Sequence, residues 1–266
     1  MKSIYEPATS NVTLPPPARI LGIPVHKVTF DTVLQIIENF INQSEVHQIV
    51  TLNSLMLNTA LIDLELQEIV KNASLVLADS AGIFWAAHFL NDPLPELIPG
   101  IDLVLKLCQL AATKKYRIYL LGARKETVEK TVENIKKIFS GISITGFRDG
   151  YFLADEEKEI ISQIRKLSPH ILFVALGSPR QEKWIAKNLK ELNVPVVIGV
   201  GGSFDIISGK LSRAPRWMNY FSLEWSYRLL QEPWRIKRII QLPIFVFRVI
   251  KYKCYDANRF MRIHTD

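Results

Sequence analysis

Residues 171–203 read ILFVALGSPRQEKWIAKNLKELNVPVVIGVGGS. Ile171 to Leu176 and Val196 to Val200 are short and evenly apolar, the mark of strands buried on both faces. The helical segment Gln181 to Leu192 separates them. The same alternation extends back through the chain. Strands are expected at Ile20–Val25, His47–Leu52, Leu75–Ala78, Arg117–Leu121 (running into Gly122) and Ile142–Phe147. Helices are expected at Thr29–Asn42, Ser54 to about Asn72, Ala81–Leu90, Ile101–Thr113, Lys125–Phe139 and Asp155–Leu167. Alternating elements of this kind predict an α/β fold: a Rossmann-like, mostly parallel sheet with helices on both faces.

Composition bounds what such a fold carries. The chain has 266 residues, of which 48% are hydrophobic, enough for a sizeable core. Two cysteines, Cys108 and Cys254, form no CxxC or Cys/His metal spacing, so a reducing compartment is expected. Cys108 lies in an apolar helical run and reads as a buried thiol. Residues 1–18 are polar, contain Pro15, Pro16 and Pro17, and read as a flexible lead-in rather than a signal peptide. No apolar run approaches the roughly 20 residues a spanning helix needs. The α/β core is placed at 19–209 and an appendage at 210–266.

The net charge of +7 is not spread evenly. Residues 210–266 hold 12 Lys/Arg against Glu224, Glu232, Asp256 and Asp266, a net of +8, so the rest of the chain is nearly neutral. Trp217, Trp225 and Trp234 interleave with these cations. Pro233 and Pro243 are expected to break the appendage into short helices, and Ile239–Cys254 reads as a helix lying in a membrane interface. Tryptophan among Ile- and Phe-rich sequence suits such a surface better than nucleic acid, and no nucleic-acid partner is expected.

Ligands of parallel sheets bind beyond the carboxyl ends of the strands. That rule selects Thr51-Leu52-Asn53, Asp79-Ser80, Gly122-Ala123, Gly177 to Gln181 and Gly199 to Ser203. Thr51, Asn53, Ser54 and Asp79 are equally good helix caps, and the glycine loops are equally good tight turns. An aspartate ending a strand in apolar sequence is also a fair general base. His26, His47, His88, His170 and His264 are scattered, so no metal site is expected.

Taken in order, these pieces resemble the WecG/TagA/CpsF glycosyltransferase family over roughly residues 19–250. The pieces are Thr51-x-Asn53, Ala78-Asp79, Pro99-Gly100-x-Asp102-Leu103, Leu120-Leu121-Gly122, Gly177-x-Pro179-x-Gln181-Glu182, Gly199-Val200-Gly201-Gly202-x-Phe204-Asp205 and Arg213-Ala214-Pro215. The resemblance implies transfer of an N-acetylmannosamine-type or related sugar from a UDP donor to a polyprenyl-diphosphate-linked acceptor sugar. It implies inversion, no cofactor and no required metal, with products in cell-surface polysaccharide or teichoic-acid-type polymers. Asp79 would be the general base. Thr51, Asn53, Gln181, Gly122, Gly201 and Gly202 would bind substrate. Arg228, Arg235 and Arg238, on one face of a short helix, would meet the diphosphate. The appendage would be both lid and membrane contact, the location cytoplasmic and peripheral on the inner face of the cell membrane, and the assembly a homo-oligomer. Two departures stand out: Leu97 where the family commonly has arginine, and Ser80 where it commonly has glycine. They motivate an alternative, a catalytically impaired nucleotide-sugar or lipid-binding relative.

Overall fold

Period-two alternation divides each central strand between two cores. The computed structural model describes residues 14–43, 45–215, 218, 224–233 and 240–263. Six strands form one parallel sheet: β3 (His47–Leu52), β4 (Leu75–Ala78), β5 (Arg117–Gly122), β6 (Ser143–Arg148), β7 (Ile171–Ala175) and β8 (Val196–Gly199). Their order is β4-β3-β8-β7-β5-β6. Ile49, Leu75, Leu77, Ile118, Leu120, Ile171, Phe173, Val196 and Ile198 turn to one face. There they pack under α1 (Phe30–Asn42), α5 (Gly100–Lys114), α6 (Lys125–Ile138) and α9 (Ser203–Ile207). The alternate residues turn to the other face. Tyr119, Leu121, Leu172, Val174 and Val197 meet α7 (Glu157–Leu167) and α8 (Arg180–Leu192). Val50, Leu52, Val76 and Ala78 meet α2 (Ser54–Ala60), α3 (Leu64–Asn72) and α4 (Ala81–Phe89). Coverage on both faces is why these strands are continuously apolar. Cys108, wholly buried in the first core, has its thiol pushed up to about 12 by burial, so it stays protonated.

Three local expectations are corrected. The single strand at 20–25 is a hairpin, β1 (Ala18–Ile20) and β2 (Ile23–Val25), paired antiparallel. Its turn residues Leu21 and Gly22 both have positive φ, 51° and 83°, which a two-residue hairpin demands. A leucine there gives no sequence signal. The helix expected over 54–72 is two, because Asp63 caps α3 by accepting from the Leu66 N–H at 3.0 Å. The appendage contains α10 (Glu224–Gln231) and one long helix, α11 (Gln241–Ile263). Pro243 does not break α11. It is the third residue, within the first turn, where a missing N–H costs nothing.

Two histidines act as structural acceptors. His26 Nδ1 accepts from the Val76 N–H and His170 Nδ1 from the Arg117 N–H, each at 2.9 Å. Burial holds both below the ordinary value of 6.5, and at His170 the Arg117 charge adds to it. A lowered folded pKa means stability that is full above 6.5 and is lost as pH falls, because the unfolded chain protonates first. Unfolding free energy should therefore drop between about pH 7.5 and about pH 5, and His26→Asn/His170→Asn, which keeps an acceptor, should flatten that drop in urea melts.

Candidate active site

The carboxyl ends of β4, β3 and β8 are tied together by three hydrogen bonds. Asp79 directly follows β4 and is half-buried. Its N–H donates to the Leu52 carbonyl at the end of β3, at 2.9 Å. Its Oδ1 accepts from the Gly100 N–H at 2.5 Å, the first residue of α5. The N-cap of α5 is Pro99, whose side chain offers no cap, so Asp79 supplies from another element the acceptor that serine or aspartate usually supplies locally. A Cβ at Gly100 would lie 3.3 Å from Asp79 Oδ1 and 3.5 Å from Thr51 Oγ1. Thr51 is buried and donates through Oγ1 to the Gly199 carbonyl of β8 at 3.0 Å. Asp79, Thr51 and the amino end of α5 thus meet at one rim. The capping and general-base readings of Asp79 are compatible, since a carboxylate accepts several hydrogens.

Residues around this cluster hold the helices that carry it. Asn53 caps α2, its Oδ1 accepting from the Leu55 and Met56 N–H groups at 3.1 and 3.0 Å. Ser80 caps α4 and accepts from the Ser54 N–H at 3.3 Å. Serine in place of glycine therefore joins α4 to α2. Leu97 packs against the core beneath α2 and α4. One residue of the site escaped the residue-by-residue prediction. Arg213 pairs with Asp102 in the first turn of α5, Nη2 to Oδ2 at 2.6 Å, and so brings a guanidinium beside the rim. The motif Arg213-Ala214-Pro215 was its only signal.

The remaining predicted residues fall in different places. Gln181 is 2% exposed, with its Oε1 accepting from the Gly201 N–H at 3.1 Å and its Nε2 donating to Glu182 Oε1 at 2.7 Å. Gly201, at φ 50°, would place a Cβ in open space. Gly202 caps α9. Gly122 ends β5, four strands along from β4, roughly 20 Å at sheet spacing, so it is not brought together with Asp79. Its constraint is packing, because at φ 126° an added Cβ would lie 2.4 Å from the Ala175 carbonyl oxygen. Arg228 lies in α10 with its side chain outside the described residues, and Arg235 and Arg238 lie wholly outside them. Among the described residues no group of three or more His, Cys, Asp or Glu side chains is arranged to hold a metal.

A doubly covered parallel sheet, with a fixed carboxylate at its carboxyl edge and glycine turns beside it, defines a Rossmann-like α/β enzyme. Comparison with known proteins makes the assignment specific: residues 18–259 match the Glycosyl transferase WecG/TagA/CpsF family, and the chain belongs to it. It is therefore a hexosyltransferase-type enzyme. It is 35% identical over 219 residues to an N-acetylglucosaminyldiphosphoundecaprenol N-acetyl-beta-D-mannosaminyltransferase of Bacillus spizizenii, covering 82% of this chain and 84% of the relative. A protein of the same description from Staphylococcus aureus strain MW2 is 34% identical over 233 residues, covering 85% and 91%.

Gly122→Ala should lower stability by at least about 2 kcal/mol in chemical denaturation, since both the positive φ and the Ala175 carbonyl oppose a methyl group.

Proposed function

We propose that the chain transfers an N-acetylmannosamine-type or related sugar from a UDP donor to a sugar linked to a polyprenyl diphosphate, with inversion and without a required metal. The observation that carries this reading is the fixed Asp79 carboxylate at the rim, taken with the relatives' description as mannosaminyltransferases for N-acetylglucosaminyldiphosphoundecaprenol. Asp79 removes the proton from the acceptor hydroxyl as its oxygen attacks the anomeric carbon of the donor sugar. The new C–O bond forms on the face opposite the departing UDP, and the bond to the diphosphate breaks with its electron pair leaving on the phosphate oxygen. Thr51 and Asn53 line the sugar pocket, and Gly201 and Gly202 lie against the donor. Arg228, Arg235 and Arg238 neutralise the leaving diphosphate in place of a metal.

The appendage serves at the membrane surface where such an acceptor is embedded. Its sequence carries the net charge of +8. Val246, Phe247 and Ile250 of α11, with Trp225 of α10, line an open apolar groove of about 470 Å³. Among the described residues no helix is long and apolar enough to cross a membrane. Peripheral contact at the inner face of the cell membrane, with the active site facing lipid-linked acceptor, fits both features. The core and appendage act as one enzyme, because Phe245 and Val249 of α11 are buried against α2 and α4.

Asp79→Asn keeps an acceptor for the Gly100 N–H, so it should fold normally yet lose transfer by about 10³-fold or more in a UDP-release assay with a short-chain lipid-diphosphate acceptor. Near-normal turnover would remove Asp79 from the base role. Asp79→Ala should also lose about 1–3 kcal/mol of stability, because it leaves the Gly100 N–H without its acceptor. Replacing Arg228, Arg235 and Arg238 together by glutamine should depress turnover on soluble and membrane-bound acceptors alike. A loss confined to vesicle binding would make the arginines a membrane contact alone.

A further inference from the structure

Glu182 is buried where a carboxylate has no ordinary reason to be. It is the third residue of α8, the position from which glutamate usually reaches back to the N-cap backbone N–H. Here the N-cap is Pro179, which has no N–H, so that contact cannot form. The side chain turns inward and the residue is 1% exposed. Its Oε1 accepts from Gln181 Nε2 at 2.7 Å, and its buried Oε2 makes no well-formed hydrogen bond, although Ser178 and its own N–H give the carboxyl weaker polar contacts. A natural core keeps such a group only for a reason.

The Glu182 backbone carbonyl accepts from Gln48 Nε2 at 3.2 Å, while its side-chain contacts lead to the rim. The Gln181 amide that it holds accepts from the Gly201 N–H through Oε1. A carboxamide has two orientations, and the Glu182 acceptor selects the one that aims the Gln181 oxygen at Gly201. The pair rests on bare backbone: a Cβ at Gly199 would approach Gln181 Nε2 to 2.7 Å and Glu182 Oε1 to 3.1 Å. The carbonyl of the same Gly199 accepts from Thr51, the side chain beside Asp79 and Gly100. Glu182 is thus two hydrogen bonds from the glycine turn and never touches the rim's open side. Burial pushes its carboxyl above the ordinary carboxylate range, against smaller opposing contributions from Gln181, its own N–H and Ser178. An uncharged acid still offers its carbonyl oxygen to Gln181.

We propose that Glu182 is a positioning residue for sugar transfer, acting through Gln181 to hold the Gly201 turn in its donor-binding form, and that it does so as a hydrogen-bond acceptor rather than as a charge. The kinetic part rests on the proposed glycosyltransferase reading; the structural part does not.

Three variants of the full chain test it by two readouts. Glu182→Gln keeps an acceptor of the same shape without the charge. Glu182→Leu removes the acceptor. Gly199→Ala leaves Glu182 in place and displaces its contact with Gln181 from the strand side, which covers the case of Glu182→Leu failing to fold. Amide exchange at Gly201, followed by NMR without any substrate, should stay slow in the wild type and in Glu182→Gln. It should quicken about tenfold or more in Glu182→Leu and Gly199→Ala. With a UDP-sugar and a short-chain lipid-diphosphate acceptor, the donor KM should rise about tenfold in those two variants, with kcat within about threefold, and remain near wild type in Glu182→Gln. Unchanged exchange and donor KM in Glu182→Leu, or a Glu182→Gln protein as impaired as Glu182→Leu, would overturn the proposal. A wild-type protein that never releases UDP would overturn the glycosyltransferase reading instead, and the exchange measurement would still decide the role of Glu182.

Discussion

The hydrogen bond from the Gly100 N–H to Asp79 Oδ1 is the constraint on which the rest of the rim depends. It joins the end of an edge strand to the start of the helix that runs back over the sheet. Pro99 cannot cap that helix with its own side chain, so α5 borrows the carboxylate of Asp79, just beyond β4. The same bond removes the aspartate's freedom and fixes where its charge sits. Thr51 is close to both partners and is itself fixed to Gly199, so the ends of three adjacent strands become one rigid edge. For the base role proposed for Asp79, a carboxylate held in this way would need little reorganisation before accepting a proton.

The appendage shows how one segment serves the fold and the surface at once. The inner side of α11 buries Phe245 and Val249 and places Arg248 Nη1 on Asn58 Oδ1 at 2.9 Å. Phe245 also stands 3.6 Å from where a Cβ of Gly82 would lie, in the helix that begins just after Asp79 and Ser80. The outer side keeps Phe247 66% exposed. The helix is thus core on one side and leaves apolar surface exposed on the other. The segment that reads along the sequence as an interfacial helix is in the structure a support for α4, anchored in the core through Phe245 and Val249.

Much of the architecture was legible along the chain because its cause is local. Buried parallel strands must be apolar throughout, so His47–Leu52 and Leu75–Ala78 were found with their observed limits. Helix spacing located α1 and α5 to α8 within a residue or two at each end. The failures were equally physical. Leu21 adopts a positive φ that leucine does not advertise, Asp63 stops a helix inside a pattern that would otherwise continue, and Pro243 is harmless only because the helix begins two residues earlier. Among the candidate site residues, Asp79, Thr51 and Asn53 stood out because strand ends in such sheets are where ligands lie. Glu182 and Asp102 offered no signal beyond their motif, because their roles depend on partners at a distance or on a cap that is absent.

The sequence by itself determined the alternation of elements, the parallel double-covered sheet, the family and the location of the positive charge. The elements, the sheet and the charge follow from composition or from spacing within a few residues, whereas the family resemblance rests on an ordered set of motifs from Thr51 to Pro215. Only the tertiary structure decided that Asp79 caps α5, that Gln181 faces Glu182 and Gly201 rather than solvent, that Arg213 stands on Asp102, and that α11 belongs to the core. These contacts join residues 20 to 190 positions apart, or turn on which side chain finds its backbone N–H already missing. Spacing along a chain carries no record of such distances. They are set by which strand ends the sheet order makes neighbours.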